Sequence, residues 1–410
     1  LDVLMPDKYG GADRPLAIVV GGGPAGLTAG IALASAGIST VLAGKRPAKP
    51  DTRTTALLGG SVTALATLGV WDLCAAQAAP MRTMRLVDDT GRLWRAPEVK
   101  FEADEIGLDT FGHNIENRHL VAALEQRAHG FANLRLIEDD VDAVAPGADA
   151  VEVRLKSGEI LRAPLVVGAD GRRSLCRNAA GVGIEERKYS QSALTVNFAH
   201  TRPHRDTSTE FHTPSGPFTL VPLPGQRSSL VWVLDPSQAE ETAALDDASL
   251  SAQIERHSHS ILGKVAVEPG RGLFPLGVAT AQRFAAKRIA LIGEAAHVIP
   301  PIGAQGLNLG LRDAATIGEL TIAAQRDGGD IGGEEVLARY DRMRRADVGT
   351  RTLAIDLLNR TLLTDFLPVQ GARGLGLYLI DRIGPLRRAV MREGVAPSAS
   401  QPRLMRGEVL

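Results

Sequence analysis

Gly21, Gly23 and Gly26 stand in GxGxxG spacing, Asp170 sits between Gly168 and Gly171, and Gly303 and Gly306 follow the pair Pro300-Pro301. Each cluster falls where an apolar run gives way to a helical pattern. The chemistry this permits is the binding of a negatively charged or electron-rich group, because the first backbone N–H groups of a helix have no partners inside it. Gly303 and Gly306 let backbone approach a flat ligand, and Pro300 and Pro301 stiffen the approach. Taken singly, any of these clusters also reads as an ordinary loop between a buried strand and a buried helix.

The elements that must position these groups follow from the hydrophobic pattern. Leu16 to Val20 reads as a buried strand, Pro24 to Ala36 as a helix and Ile38 to Ala43 as a second strand. In this βαβ unit the glycines permit a tight turn, close approach of a pyrophosphate and tight helix–strand packing. Leu16 to Gly44 holds no charged residue and is long enough to span a bilayer, with Gly26 and Gly30 in GxxxG spacing. Its small residues and its break at Gly21-Gly22-Gly23-Pro24 favour the soluble unit. One part is missing: Ala43-Gly44-Lys45 stands where an acidic residue usually ends the second strand and holds a ribose.

Further along, Leu165 to Gly168 reads as a strand running into Asp170, which can accept from ribityl or ribose hydroxyls, with Ser174 and Arg177 on an incipient helix. Ile289 to Ile292 forms a third such strand, reaching Gly293 and Glu294 before a helix that starts near Leu307. Arg53 lies in a polar turn, suited to a phosphate or a flat ring but equally to a solvated loop. Alternating strands at Ala193 to Ala199, Phe218 to Pro222 and Ser229 to Val233 predict an antiparallel sheet inserted between pieces of the first domain. His200, His204 and His212 fall at no metal-ligand spacing, so no metal is expected. Asp246 to Leu262 and Glu334 to Phe366 read as helices. Arg373, Arg382, Arg387, Arg388 and Arg392, beside Leu375, Leu377, Tyr378, Leu379 and Ile380, suit a membrane-surface face or a solvated basic edge packed on the body.

Composition limits the classes. With 410 residues, 44% of them hydrophobic, the chain can bury more than one core. Forty-six basic against 47 acidic residues leave no field to attract nucleic acid. Cys74 and Cys176 form no CxxC, so a redox cysteine pair is excluded and a reducing cytoplasm fits. Leu1 to Pro15 shows neither the basic nor the apolar region of a signal peptide.

In order and spacing, GGGPAG at 21–26, GADGRRSLCR at 168–177 and GEAAHVIPPIGAQGLNLG at 293–310 resemble the single-component FAD-dependent aromatic monooxygenases. ENRHLVAAL at 116–124, the segment DTRTTAL, LLNRTLLTDF and GPLRRAVMREG resemble the ubiquinone-biosynthesis hydroxylase branch. The resemblance implies an α/β fold: a Rossmann-like FAD-binding domain (1–80, 105–190 and 270–330), an inserted antiparallel-sheet substrate domain (81–104 and 191–269) and C-terminal helices (331–410).

The resemblance also implies a set of cofactor contacts. Gly21, Gly23 and Gly26 would hold the FAD pyrophosphate, Arg53 and Asn117 would lie along the flavin and its phosphate chain, and Val141 would contact adenine through its backbone. Asp170 would serve FAD and transient NAD(P)H, and Glu294, where the family commonly has Asp, would bond the ribityl chain. Pro301, Gly303, Gln305, Gly306, Leu307 and Asn308 would border the reactive ring. Pro300 replaces a common His, and Gly303-Ala304 inverts a common Ala-Gly. The implied reaction reduces FAD with NAD(P)H and transfers an oxygen of O₂ to an electron-rich, polyprenylated phenol. No side-chain base is assigned; His297 reads as structural. A flavin reductase or oxidase on another lipid-like substrate, and a flavin-less subunit of a biosynthetic assembly, stand as alternatives. A homodimer and peripheral association with the inner face of a membrane or with a biosynthetic complex stay open.

Overall fold

The computed structural model describes residues 15–45, 51–91, 97–301, 304–363, 376, 378–379, 382–395 and 401–410. Gly303, Arg373, Leu375, Leu377 and Ile380, which carry expectations above, lie outside them.

Ala17–Val20, Thr40–Ala43 and Leu165–Gly168 are short apolar strands buried along their whole length. Continuous apolar runs of this kind suit a parallel sheet covered on both faces. They form one sheet in the order Ala285–Ala286, Ile289–Leu291, Leu165–Gly168, Ala17–Val20, Thr40–Ala43, Leu134–Ile137, parallel except at the first pair. Register decides where the loops emerge. Val20 pairs with Ala43 and with Gly168, and Gly168 pairs with Leu291. The loops beginning at Gly21, Gly44, Ala169 and Ile292 therefore leave the same carboxyl edge of the sheet, where open α/β sheets bind ligands. The charge-free segment is thus strand, helix and strand inside the sheet, and among the described residues no helix is long and apolar enough to cross a membrane.

A second sheet, mostly antiparallel, runs through Gly272–Ala281, Ile184–His200, Arg227–Leu234, Gly216–Leu223, Thr207–Thr213, Thr83–Asp88 and Val99–Glu102. Side chains alternate across it. Leu194, Phe198, Phe218, Leu220 and Trp232 enter a core shared with the helices Pro236–Ala243 and Asp247–His257. Ala193, Thr195, Asn197, Thr219 and Val231 face a cavity instead. The strand Ile184–His200 is longer than the alternation at Ala193 to Ala199 predicts. Its first residues, including Glu185, Glu186 and Arg187, are exposed, so no apolar period marks them, and its pairing with Gly272–Ala281 shifts register between Lys188 and Ser192. The helix expected over Asp246 to Leu262 is shorter, with Asp246 as its N-cap accepting from Ser249 N at 2.8 Å.

The C-terminal segment packs on the body. Met391, on the helix Gly384–Val395, is buried beside Phe111 and Ala103, and Arg387 Nε donates to Glu105 Oε2 at 2.6 Å. Leu404 and Met405 are buried in the turn Arg403–Arg406, against the helix Gly59–Thr67. Before the long helix Glu334–Leu363, Asp330 accepts from both terminal nitrogens of Arg288, at 3.0 and 2.5 Å.

Those hydrogen bonds from Arg288, reinforced by Gly332 N–H, hold the Asp330 carboxyl below its usual range despite partial burial. A group whose pKa is depressed by folding stabilises the fold above its unfolded value, and that contribution is lost as pH falls through the folded value. The melting temperature is expected to decline as pH falls below about 4. In Asp330→Asn the part of that decline due to this pair should vanish, which melting curves across the acid range would show.

Candidate flavin site

A cavity of about 1230 Å³ lies between the two sheets. It exceeds the few hundred to about 1000 Å³ of a typical single-ligand pocket, so it has room for a dinucleotide and a substrate together. One end is formed by Gly22, Gly23, Pro24, Ala25 and Gly26, and Pro300, Pro301, Ala304, Gln305, Gly306 and Leu307 also line it. Two helices, Pro24–Ser35 and Gln305–Arg326, therefore present their N-termini to one cavity. The second starts two residues before the predicted Leu307, with Ala304 in the left-handed region at φ 54°.

The glycines at the first end are fixed by contact. Gly21 has φ 117°, which L side chains rarely adopt, and its N–H bonds Ala43 O at 2.8 Å. A Cβ on Gly26 would sit 2.0 Å from Gly21 O, so turn and helix touch backbone to backbone. This cradle fits a pyrophosphate, which needs free N–H groups and no intervening side chain. Gly44 is equally closed: a Cβ there would lie 2.4 Å from Gly22 N. The missing ribose acid therefore has a physical cause, since this backbone path leaves no space for a side chain at 44. Its neighbour Lys45 lines the cavity and pairs with Asp140 at 3.1 Å. Gly44→Glu is accordingly expected to weaken FAD binding and to destabilise the fold by about 1–3 kcal/mol through the forced backbone shift, which lowers the melting temperature. FAD titration and melting of the variant check both.

The other predicted residues divide into two groups. Arg53, Asn117 and Glu294 line the cavity, as do Gln305, Gly306, Leu307 and Pro301. Asp170, Val141 and Asn308 have no place in its lining. Asp170 instead accepts from Ser174 Oγ at 2.6 Å and Cys176 N at 3.1 Å, tying down the turn that precedes the short helix Leu175–Ala179. Val141 begins the strand Val141–Pro146. Asn308 staples the helix start to a neighbouring strand, its Oδ1 accepting from Leu58 N at 2.9 Å and its Nδ2 donating to Ala56 O at 2.8 Å.

Arg53 is held by Asp51 through two hydrogen bonds of 2.8 and 2.6 Å, and its guanidinium lies 5.2 Å from the centre of the Phe274 ring. Asn117 Nδ2 donates to the same carboxylate at 2.9 Å. Burial alone would raise the Asp51 pKa, but Arg53 and Asn117 outweigh it and the group stays below its usual value. Glu294 faces Arg172, with Oε1 accepting from Nη2 at 3.2 Å, and both side chains are about half exposed.

Sequence reasoning missed an Asp/His pair here. Asp313 is completely buried, and its Oδ2 accepts from Gly293 N at 2.9 Å and lies 2.7 Å from His297 Nε2. A carboxylate only accepts, so Nε2 carries a proton. Arg344 Nε donates to Oδ1 at 2.6 Å. Burial pushes the Asp313 pKa up, but Arg344 and His297 together hold it below the usual carboxylate value. His297 lines the cavity, and its Nδ1 is buried without a hydrogen-bond partner among the described residues.

A parallel sheet that delivers a GxGxxG turn and a second helix N-terminus to one sheet-walled cavity defines a dinucleotide-binding protein with an adjoining substrate chamber. The chain belongs to the FAD-binding-domain family, whose model, described as FAD binding domain, matches residues 16–354. It is 36% identical over 409 residues to ubiquinone hydroxylase UbiL of Rhodospirillum rubrum, covering 97% of this chain and 94% of that protein. It is 34% identical over 383 residues to the 3-demethoxyubiquinol 3-hydroxylase of Escherichia coli, covering 91% and 96%. The fold matches that of p-nitrophenol 4-monooxygenase PnpA from Pseudomonas putida with TM-score 0.77 at 21% identity, covering 94% of this chain and 99% of that one. Klebsiella pneumoniae HpxO complexed with FAD matches with TM-score 0.74, also at 21% identity, over 94% and 100%. The expected α/β architecture and FAD as cofactor are thereby established, and the ubiquinone-branch resemblance holds.

Proposed function

We propose that this chain is an FAD-dependent monooxygenase that hydroxylates the aromatic ring of a phenolic, polyprenylated ubiquinone precursor with NAD(P)H and O₂. The observation that carries the reading is the single cavity, which joins two helix N-termini to the inner face of an antiparallel sheet. The names of the two curated relatives supply the substrate class. Bound FAD supplies electron transfer from NAD(P)H and activation of O₂. The chain's own residues bind and orient. Gly21 to Gly26 would hold the pyrophosphate, and the N–H groups at Gln305 to Leu307 would stabilise negative charge on the reduced ring, since a helix N-terminus carries roughly half a positive charge. Arg53, once released by Asp51, and Asn117 would lie along the phosphate chain.

In this reading Ala193, Thr195, Thr219 and Val231 wall the substrate chamber and exclude water, so the second sheet is the substrate domain. Val390 and Met391 also line the cavity, on the helix that exposes Leu386 and Val390 together with Arg388 and Arg392. We place the entrance for a prenyl tail beside this helix, at a face suited to a membrane surface.

The purified protein is expected to be yellow, and to oxidise NAD(P)H on addition of a polyprenyl phenol with one hydroxylated product per NAD(P)H. Oxygen consumption without that product would instead indicate an oxidase or reductase. A colourless protein that stays apo in excess FAD would indicate a flavin-less subunit and overturn the reading.

A further inference from the structure

Between the strand Ile289–Leu291 and the helix Gln305–Arg326, Gly293, Glu294, His297 to Pro301, Ala304 and Gln305 line the cavity, and Gly293 and Gln305 are joined behind it by a chain of ionic hydrogen bonds. At the first end Gly293 N and His297 Nε2 meet Asp313 Oδ2. Asp313 Oδ1 accepts from Arg344 Nε at 2.6 Å, and Arg344 Nη1 donates to Asp347 Oδ2 at 2.6 Å. Arg351 Nε donates to Asp347 Oδ1 at 3.0 Å, and Arg351 Nη1 donates to Gln305 Oε1 at 2.9 Å, which reaches the second end. Arg344, Asp347 and Arg351 all lie on the helix Glu334–Leu363. Arg312 Nε adds a longer contact of 3.5 Å to Asp347.

Charge-assisted bonds of this length are the strong kind, and ones removed from water hold their geometry tightly. Asp313 and Arg344 are almost wholly buried, and the Arg351 side chain is only 14% exposed. The cluster is also unbalanced. Arg312, Arg344 and Arg351 face Asp313 and Asp347, and burial lowers the Arg312 pKa only to about 10, so at neutral pH three guanidinium groups oppose two carboxylates. One net positive charge therefore sits behind the start of the helix Gln305–Arg326.

We infer that the helix Glu334–Leu363 is a strut for the flavin-facing loop, and that Arg351 is a positioning residue that fixes the loop's Gln305 end and supplies the excess positive charge behind it. The inference rests on the placement of the flavin ring proposed above. The C-terminal helical segment is then part of the cofactor site, although among its described side chains only Val390 and Met391 line the cavity.

The test compares Arg351→Met, Arg351→Lys, Asp347→Asn and Gln305→Leu with the wild-type protein, all loaded with FAD, by FAD dissociation rate and by the midpoint potential of the bound flavin. A hydrogen bond to a charged group contributes enough that its loss should speed dissociation by about tenfold. Arg351→Met removes both charge and bond, so faster dissociation with a more negative potential is expected. Arg351→Lys should restore the potential but not the dissociation rate, since the ammonium keeps the charge without the planar fork. Asp347→Asn leaves two excess charges and should move the potential the opposite way, a sign reversal that mere loosening of the structure would not produce. Gln305→Leu cuts the same bond from the cavity side and reports on dissociation should the arginine variants fail to fold. Wild-type dissociation and potential in Arg351→Met, or wild-type dissociation in Gln305→Leu, would overturn the inference. A wild-type protein that takes up no FAD would overturn the functional reading instead.

Discussion

Gly26→Val is expected to yield a protein without visible flavin absorbance. An ideal Cβ at this position lies 2.0 Å from Gly21 O, with Gly21 C at 3.1 Å and the Ala169 Cβ also at 3.1 Å. These are mainly backbone atoms, so no rotamer change relieves the collision and the turn must separate from the helix. Overpacking of this kind costs about 1–3 kcal/mol in the fold. The loss in binding comes in addition. The same movement pulls the first N–H groups of the helix Pro24–Ser35 away from the pyrophosphate, and a hundredfold weaker affinity corresponds to about 2.7 kcal/mol. Gly26→Ala should show the same effect at smaller amplitude. Dialysis against FAD followed by a visible spectrum measures it, and a yellow Gly26→Val protein with wild-type affinity would remove the pyrophosphate from this turn.

How far the site could be read in advance tracks how local each signal is. The strand, the glycine turn and the helix from Ala17 to Ser35 occupy one unbroken stretch, and the residue pattern contains all that is needed to see them. Gly44 was visible as a missing acid, but its cause, contact with Gly22 across two strand ends, belongs to the fold. Asp170 shows a subtler limit. Its motif identified the carboxyl edge of the sheet correctly, yet the carboxylate itself bonds Ser174 and Cys176, because a nearby hydroxyl and backbone N–H compete for any acceptor in a tight turn. The pairing of Asp51 with Arg53 includes a bond from Arg53 N at 3.0 Å, the local Asx pattern that an Asp two residues earlier makes available.

Asp313, His297 and Arg344 lie on a two-residue strand and two different helices. No periodicity links them, and a buried aspartate inside an apolar helix was the only trace in the sequence. The exposed half of the strand Ile184–His200 escaped for a related reason: where neither face is buried, alternation disappears even though the ladder continues.

Gly306 provides the complementary experiment at the reactive end. Among the described residues, and apart from its chain neighbours and its own helix backbone, no atom lies within 4 Å of where its Cβ would be, and the residue lines the cavity. A leucine there meets open space, in contrast to any side chain at Gly26. Its intrinsic effect on the helix is small and favourable, since leucine exceeds glycine in helix propensity by somewhat under 1 kcal/mol. Gly306→Leu is therefore expected to melt at or slightly above the wild-type temperature while losing flavin binding by about a hundredfold or more, as the side chain fills space that a flat ring requires. Melting curves of the apo proteins and FAD titrations separate the two quantities. A variant that melts normally and turns over at the wild-type rate would place the ring elsewhere in the cavity. Loss of the fold together with the flavin would mean that Gly306 is packed after all. The predicted outcome, a stable and empty protein, arises only if the helix start at Gln305 faces the cofactor directly.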